Sequence, residues 1–305
     1  MAGYEPVYLQ LLRSGELQQR VVQAYQHLEC CDVCAWECRA NRLAGKLGVC
    51  RTGELARVSS YGAHHGEENP LRGWRGSGTV FFSRCNLRCQ YCQNYEISQA
   101  DTGQEVEPEQ LAEILLELQQ DGCHNINFVS PSHVVPQILA AVLIAAQAGL
   151  HLPLVYNTGG YDALPILQLL DGVIDIYMPD MKYASAQIAR HYSKIPHYPH
   201  VNQAALREMY RQVGDLHIDE HGLASHGLLV RHLVLPHNLA GTAEIVQFLS
   251  REISTHTYLN LMDQYHPAYN ARQYRKLMRP IARSEYQAAV QMAHEAGLSR
   301  LDGIS

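Results

Sequence analysis

Three cysteines dominate the chemistry this chain offers: Cys85, Cys89 and Cys92, in the run Phe81-Phe82-Ser83-Arg84-Cys85-Asn86-Leu87-Arg88-Cys89-Gln90-Tyr91-Cys92. The spacing is C-x3-C-x2-C. Three thiolates this close on one loop suit three corners of a cubane 4Fe-4S cluster. No fourth cysteine follows nearby. One iron then keeps an open position, and an open position is where a metal centre does chemistry rather than bracing. The competing readings of a bare three-cysteine match are a zinc knuckle and a set of buried structural thiols.

A second group, Cys31, Cys34, Cys38 and Cys50, precedes it, with Cys30 alongside. Two stand at x2 spacing, a third at x3, and the fourth sits on the turn Gly48-Val49-Cys50. This set fits a zinc site or a second iron–sulfur cluster. Free cysteines packed as small apolar residues are the plainer alternative. Cys123 stands alone on an apolar stretch and reads as simply buried. The adjacent His64-His65 carry no assignment.

Those residues need a scaffold. The chain has 305 residues, 47% of them apolar, enough for one large α/β barrel or two modest domains. Its net charge is −6 with His neutral, and without a Lys/Arg cluster nucleic acid is not the expected partner. Met1-Ala2-Gly3-Tyr4-Glu5-Pro6 lacks the basic and apolar regions of a secretory leader. The longest apolar run, Ile138–Ala146, is too short to span a bilayer. A cytoplasmic location with no membrane partner is expected, and clustered cysteines suit a reducing compartment.

The predicted organisation is a helical lead segment (1–29), a cysteine-rich segment (30–56) and a barrel (57–305). Helices are expected near Pro6–Leu12 and Glu16–Leu28. Gly62–Gly78 reads as an irregular connector. From there strands near 79–83, 125–129, 154–156, 173–178, 228–235 and 257–262 alternate with helices near 108–121, 135–148, 185–192 and 203–213. Thr242 is a candidate cap for a later helix, and Ser284-Glu285-Tyr286-Gln287 for the last one. Six repeats predict an α/β fold, a partial (β/α)6 barrel of parallel strands. Ligands collect at the carboxyl ends of such strands. The polar residues there are Ser130, Ser132 and His133; Asn157 and Thr158; Asp180 and Lys182; Arg231; and Asn260 with Asp263-Gln264.

With those residues in view, the cysteine run resembles the signature of the radical S-adenosylmethionine enzymes, Tyr91 standing where that family commonly has an aromatic. The turn Asn157-Thr158-Gly159-Gly160 and the run Met178-Pro179-Asp180-Met181-Lys182 resemble elements of its pyruvate formate-lyase activating-enzyme branch. Within that branch the likeness is to the PflX group, through Asn41-Arg42, Gly76-Ser77-Gly78-Thr79, Cys92-Gln93-Asn94 and Leu261-Met262-Asp263-Gln264-Tyr265. The resemblance implies a 4Fe-4S cluster on Cys85, Cys89 and Cys92. It also implies S-adenosylmethionine held near Tyr91, Ser130, Ser132, Asn157, Thr158, Asp180, Lys182 and Arg231. Where the family has Gly-Gly-Glu after strand two, this chain reads Ser130-Pro131-Ser132-His133, whose hydroxyls and carbonyls can accept from an ammonium.

The expected function is reductive cleavage of S-adenosylmethionine to a 5′-deoxyadenosyl radical, an oxidoreductase-type chemistry supplied with electrons by flavodoxin or ferredoxin. The substrate is a small molecule or peptide, or alternatively a glycyl-radical enzyme. A non-catalytic zinc or iron–sulfur scaffold is the rival from another class. No catalytic side chain is singled out.

Overall fold

The computed structural model describes residues 4–302. Met1-Ala2-Gly3 of the leader reading and residues 303–305 of the barrel segment lie outside them. Nine strands form one sheet: β1 (Ala56–His64), β2 (Ser77–Phe82), β3 (Gln104–Val106), β4 (Ile126–Val129), β5 (Leu154–Thr158), β6 (Ile176–Pro179), β7 (His217–Ile218), β8 (Ala224–Leu233) and β9 (Tyr258–Met262). The six expected strands are β2, β4, β5, β6, β8 and β9. They run parallel in that order. Every residue of β5 and β6 is buried, as in a sheet covered on both faces.

The connector reading of Gly62–Gly78 needs correction. β1 runs to His64 and pairs antiparallel with β2 and β3, and Asn69–Arg72 forms one helical turn. β1 is buried on one side only at its start, so its pattern is mixed and reads as loop. The helix expected from Gln203 begins at Tyr198, because Pro199 sits in its first turn, where a missing N–H costs nothing. Neither proposed cap holds. Thr242 opens its helix, with its N–H donating to Asn238 Oδ1. Ser284 lies inside the last helix, while Glu285 accepts from Ala282 N–H at 2.7 Å.

Helix Val135–Gln147 is apolar nearly all round and almost wholly buried. The lead helices Tyr8–Ser14 and Glu16–Gln26 pack onto it, so Tyr8, Leu17, Ala24 and Leu28 share one core with the sheet. Among the described residues no helix is long and apolar enough to cross a membrane.

Asp175 pins the lead segment to the sheet. Its carboxylate accepts from Tyr4 Oη (2.6 Å), Val7 N (2.9 Å) and Leu154 N (2.7 Å). Burial pushes this carboxyl up to about 7. Its folded value lies above the unfolded one, so its stabilising contribution is present below about pH 4 and lost as pH rises to 7. Urea unfolding of the wild type and Asp175→Asn at pH 5 and pH 7 checks this. The wild type is expected to lose ground against the variant as pH rises, by at most about 1.4 kcal/mol per pH unit. A difference that is flat, or of opposite slope, refutes it.

Candidate metal and cofactor site

The cysteine loop leaves β2 and turns at Arg84, whose φ of 62° is left-handed. Arg84 Nε donates to Asp101 Oδ1 at 2.7 Å and fixes that bend. Backbone bonds from Arg88 N to Ser193 O (3.1 Å) and Gln90 N to Tyr192 O (2.7 Å) tie the loop to the end of helix Ala186–Ser193. On its other side Trp36 Nε1 donates to Asn86 O at 2.7 Å, and Asn86 Nδ2 donates to Tyr161 O at 2.9 Å. Leu87 is buried beneath the Gly159 turn.

Each sulfur has a hydrogen-bonding neighbour. Ser193 Oγ donates to Cys89 Sγ at 3.0 Å, Ser98 Oγ lies 3.2 Å from Cys92 Sγ, and Leu87 N–H donates to Cys85 Sγ at 3.4 Å. Donors to sulfur tune the potential of an iron–sulfur cluster. Burial pushes the Cys89 thiol up to about 12, opposed by the nearby Lys182 cation, and raises Cys85 as well. As free thiols Cys85 and Cys89 therefore stay protonated. Iron displaces those protons, and three thiols sharing one cleft with a buried cation fit a metal cluster.

Opposite the thiols stand the strand ends. The cleft is walled by Tyr91, Ser130, Asn157, Thr158, Asp180, Lys182 and Arg231 as well as by the cysteines. Burial alone would raise the Asp180 carboxyl, but Arg231 and Lys182 hold it below its ordinary range. Arg231 Nε donates to it at 3.0 Å, and Lys182 Nζ reaches it from the other side. Arg231 also faces Glu68 at 4.0 Å. This triad presents fixed charges at the floor of the cleft. Tyr91 is buried in an aromatic group, accepting from Tyr183 Oη at 2.7 Å and packing edge-on against Tyr183 and Tyr265.

Ser132 is not in the cleft wall. Its hydroxyl sits 2.9 Å from that of Thr158. Thr158 in turn donates to Asp162 at 2.7 Å, beside Tyr156 Oη at 2.9 Å. The place of the expected carboxylate after β4 is taken by Ser130, in left-handed backbone (φ 60°), and the short turn Pro131–His133. Gly160 (φ 73°) is obligatory: a Cβ there would meet Asp180 O at 2.5 Å and collide with Asn202.

The spacing of residues gave no hint of Asp162, Ser193, Ser98, Trp36 or Glu68. Ser193, Trp36 and Glu68 come from distant elements, and none of the five carries a motif of its own. Ser193→Ala is expected to shift the reduction potential of a cluster on this loop to more negative values, since the reduced, more negative state loses a donor. Redox titration followed by electron paramagnetic resonance reads it. An unchanged potential would mean the Ser193 hydroxyl does not reach the bound sulfur.

The fold thus sets a loop with three thiols against the carboxyl ends of a parallel partial barrel. Residues 79–216 match the family model described as the radical SAM superfamily. That match takes in the cysteine loop and the strand ends from β2 through β6. The Methanocaldococcus jannaschii protein named Uncharacterized protein MJ0674 is 27% identical over 298 residues, covering 95% of this chain and 82% of that one. Among solved structures, a radical SAM methyltransferase from Sphaerobacter thermophilus is similar with TM-score 0.49 and 12% identity over 72% of this chain. This chain spans 64%, under two thirds, of the methyltransferase. HydG, a maturase of FeFe-hydrogenase, gives TM-score 0.48 and 11% identity, covering 70% of this chain and 47% of that one. A domain of pyruvate-formate lyase-activating enzyme from Bacteroides vulgatus gives 0.37 and 13%, covering 63% and 88%.

Proposed function

We propose that this chain cleaves S-adenosylmethionine reductively and directs the resulting 5′-deoxyadenosyl radical at a hydrogen of a small-molecule or peptide substrate, with a flavodoxin- or ferredoxin-type protein as reductant. The bound cluster supplies the electron for that cleavage. Everything else falls to the chain. Cys85, Cys89 and Cys92 hold three irons and leave the fourth for the ligand. Ser130, Asn157 and the charged group Asp180–Lys182–Arg231 offer acceptors and fixed charges to the amino-acid and sugar parts of the nucleotide. Buried Tyr91 and Leu87 close the cluster side against water.

One observation carries this reading: three thiols and the Asp180–Lys182–Arg231 group wall a single cleft at the strand ends. Substrate room lies next to it. Arg231, Met262 and Gln264 separate the cleft from a neighbouring hollow bounded also by Glu67, Glu68 and Asp263. Two adjacent hollows with shared walls suit a compact substrate beside the nucleotide.

The test is anaerobic reconstitution, then dithionite and S-adenosylmethionine, with 5′-deoxyadenosine measured by chromatography. Product is expected. Its absence from protein whose cluster is spectroscopically intact overturns the reading. Zinc in full occupancy without sulfide would favour a non-catalytic scaffold.

A further inference from the structure

The N-terminal thiols were left without a role, and the fold gathers them. The backbone of Cys31 pairs with Arg39 and Ala40, folding the C-x2-C-x3-C stretch back on itself. The turn closed by Arg51 N to Gly48 O brings Cys50 in. Cys38 Sγ occupies the space a side chain at position 48 would need, so only glycine permits this approach. Cys31, Cys34 and Cys50 are buried, Cys38 is partly so, and all four thiols are free. Cys34 feels the charge of Cys50 and Cys31, and Cys31 that of Cys38.

Beside them lies a buried cation. Arg42 is 1% exposed. Its Nε donates to Gly53 O and its Nη1 to His133 O, both at 2.8 Å, and Nη1 lies 3.9 Å from Cys31 Sγ. Its Nη2 is buried without a partner. Those contacts include no carboxylate. A guanidinium sealed among carbonyls and the Cys31 thiol lacks a countercharge in contact with it, which a protein core does not tolerate cheaply. Four thiolates around a metal centre carry the net negative charge that Arg42 lacks.

The kind of centre follows from what it adjoins. Trp36, between Cys34 and Cys38, donates its Nε1–H to Asn86 O at 2.7 Å, and Asn86 Oδ1 lies 3.8 Å from Cys85 Sγ. A centre placed against the catalytic loop can serve it by passing electrons, which an iron–sulfur cluster does and zinc, without redox chemistry, does not.

We propose that Cys31, Cys34, Cys38 and Cys50 hold a second iron–sulfur cluster, compensated by Arg42, that relays one electron to the cluster on Cys85, Cys89 and Cys92. With all four positions taken by thiolates, it binds no nucleotide and only transfers charge. A one-electron protein donor of flavodoxin or ferredoxin type is oxidised, the tetrad cluster is reduced, and it is reoxidised as the electron passes on. No bond or proton moves. The relay role rests on the cleavage reading above; the cluster itself does not.

The experiment is iron, zinc and acid-labile sulfide analysis of anaerobically reconstituted protein. About eight irons and eight sulfides per chain are expected, falling to about four of each in Cys89→Ala. The surviving reduced-state resonance signal should be insensitive to S-adenosylmethionine, and Arg42→Leu should shift its potential negative. About four irons in the wild type, or one zinc per chain, overturns the cluster whether or not any nucleotide is cleaved. For the relay, Cys34→Ala should lose at least tenfold in 5′-deoxyadenosine formation with reduced flavodoxin yet stay within about threefold with dithionite. Equal loss with both reductants, or none with flavodoxin, overturns the relay.

Discussion

Cys89→Ala is expected to remove about four irons per chain and to abolish 5′-deoxyadenosine formation, leaving less than about a thousandth of the wild-type rate. The sulfur it deletes is the middle of the three ligands and the best supported, buried and bonded by Ser193 Oγ at 3.0 Å. A cubane with only two protein thiolates left has two irons to be capped by solvent, and such a cluster is lost or oxidised. The substitution itself is small and removes one buried atom from an aromatic surround, so the fold should survive. Metal analysis, the visible charge-transfer absorption and product chromatography read the outcome together. Iron content and cleavage unchanged from wild type would remove the three-thiol loop from the chemistry altogether.

The second large effect is at Asp180. This carboxylate is buried and accepts from both Arg231 and Lys182. Asp180→Asn keeps the shape but leaves two cations facing a neutral amide, with only Glu68, 4.0 Å from Arg231, still opposing them. Breaking a buried pair by removing one partner costs about 3–5 kcal/mol. That corresponds to a melting temperature lowered by roughly 6–20 °C in a chain of this size. Binding of S-adenosylmethionine should weaken too, because Lys182 is no longer held toward the cleft. Adding Lys182→Met to Asp180→Asn removes one of the stranded charges and should recover part of the stability while binding stays weak. A melting temperature within one degree of wild type would show that the Asp180 charge is not what balances this floor.

The two cases differ in how they could be found. The cysteine triad was legible because all three ligands fall within eight residues of one loop, so no tertiary knowledge is needed to bring them together. The parallel strands were legible for a related reason: apolar runs buried on both faces leave a local imprint, and β2, β4, β5, β6, β8 and β9 appear close to where hydrophobicity placed them. β1, β3 and β7 left no such imprint. They are antiparallel additions outside the parallel strands, short or half exposed, and what makes them strands is the neighbour they pair with. Caps failed for the same cause, since Asn238 and Glu285 supply the bonds that Thr242 and Ser284 were expected to make.

The site shows the same division. Asp180, Lys182, Asn157 and Arg231 were recoverable because the strand-end rule of parallel sheets points to them. That Arg231 and Lys182 close on the same carboxylate, and that Ser132 turns away to Thr158, was not. Neither was the support from Ser193, Ser98 and Trp36, which lie between 6 and 104 residues from their partners.

What the chain order settles by itself is therefore the close grouping of three cysteines on one loop and the alternation that builds a parallel barrel, because both are written in residues near one another in sequence. Only the folded molecule decides which hydroxyls and amides reach the sulfurs, which cations share Asp180, and that Arg42 is sealed beside the Cys31 thiol with carbonyls rather than a carboxylate as its partners. Those facts arise from burial, which removes water as an alternative partner and makes every remaining polar contact matter, and burial is a property of the assembled fold.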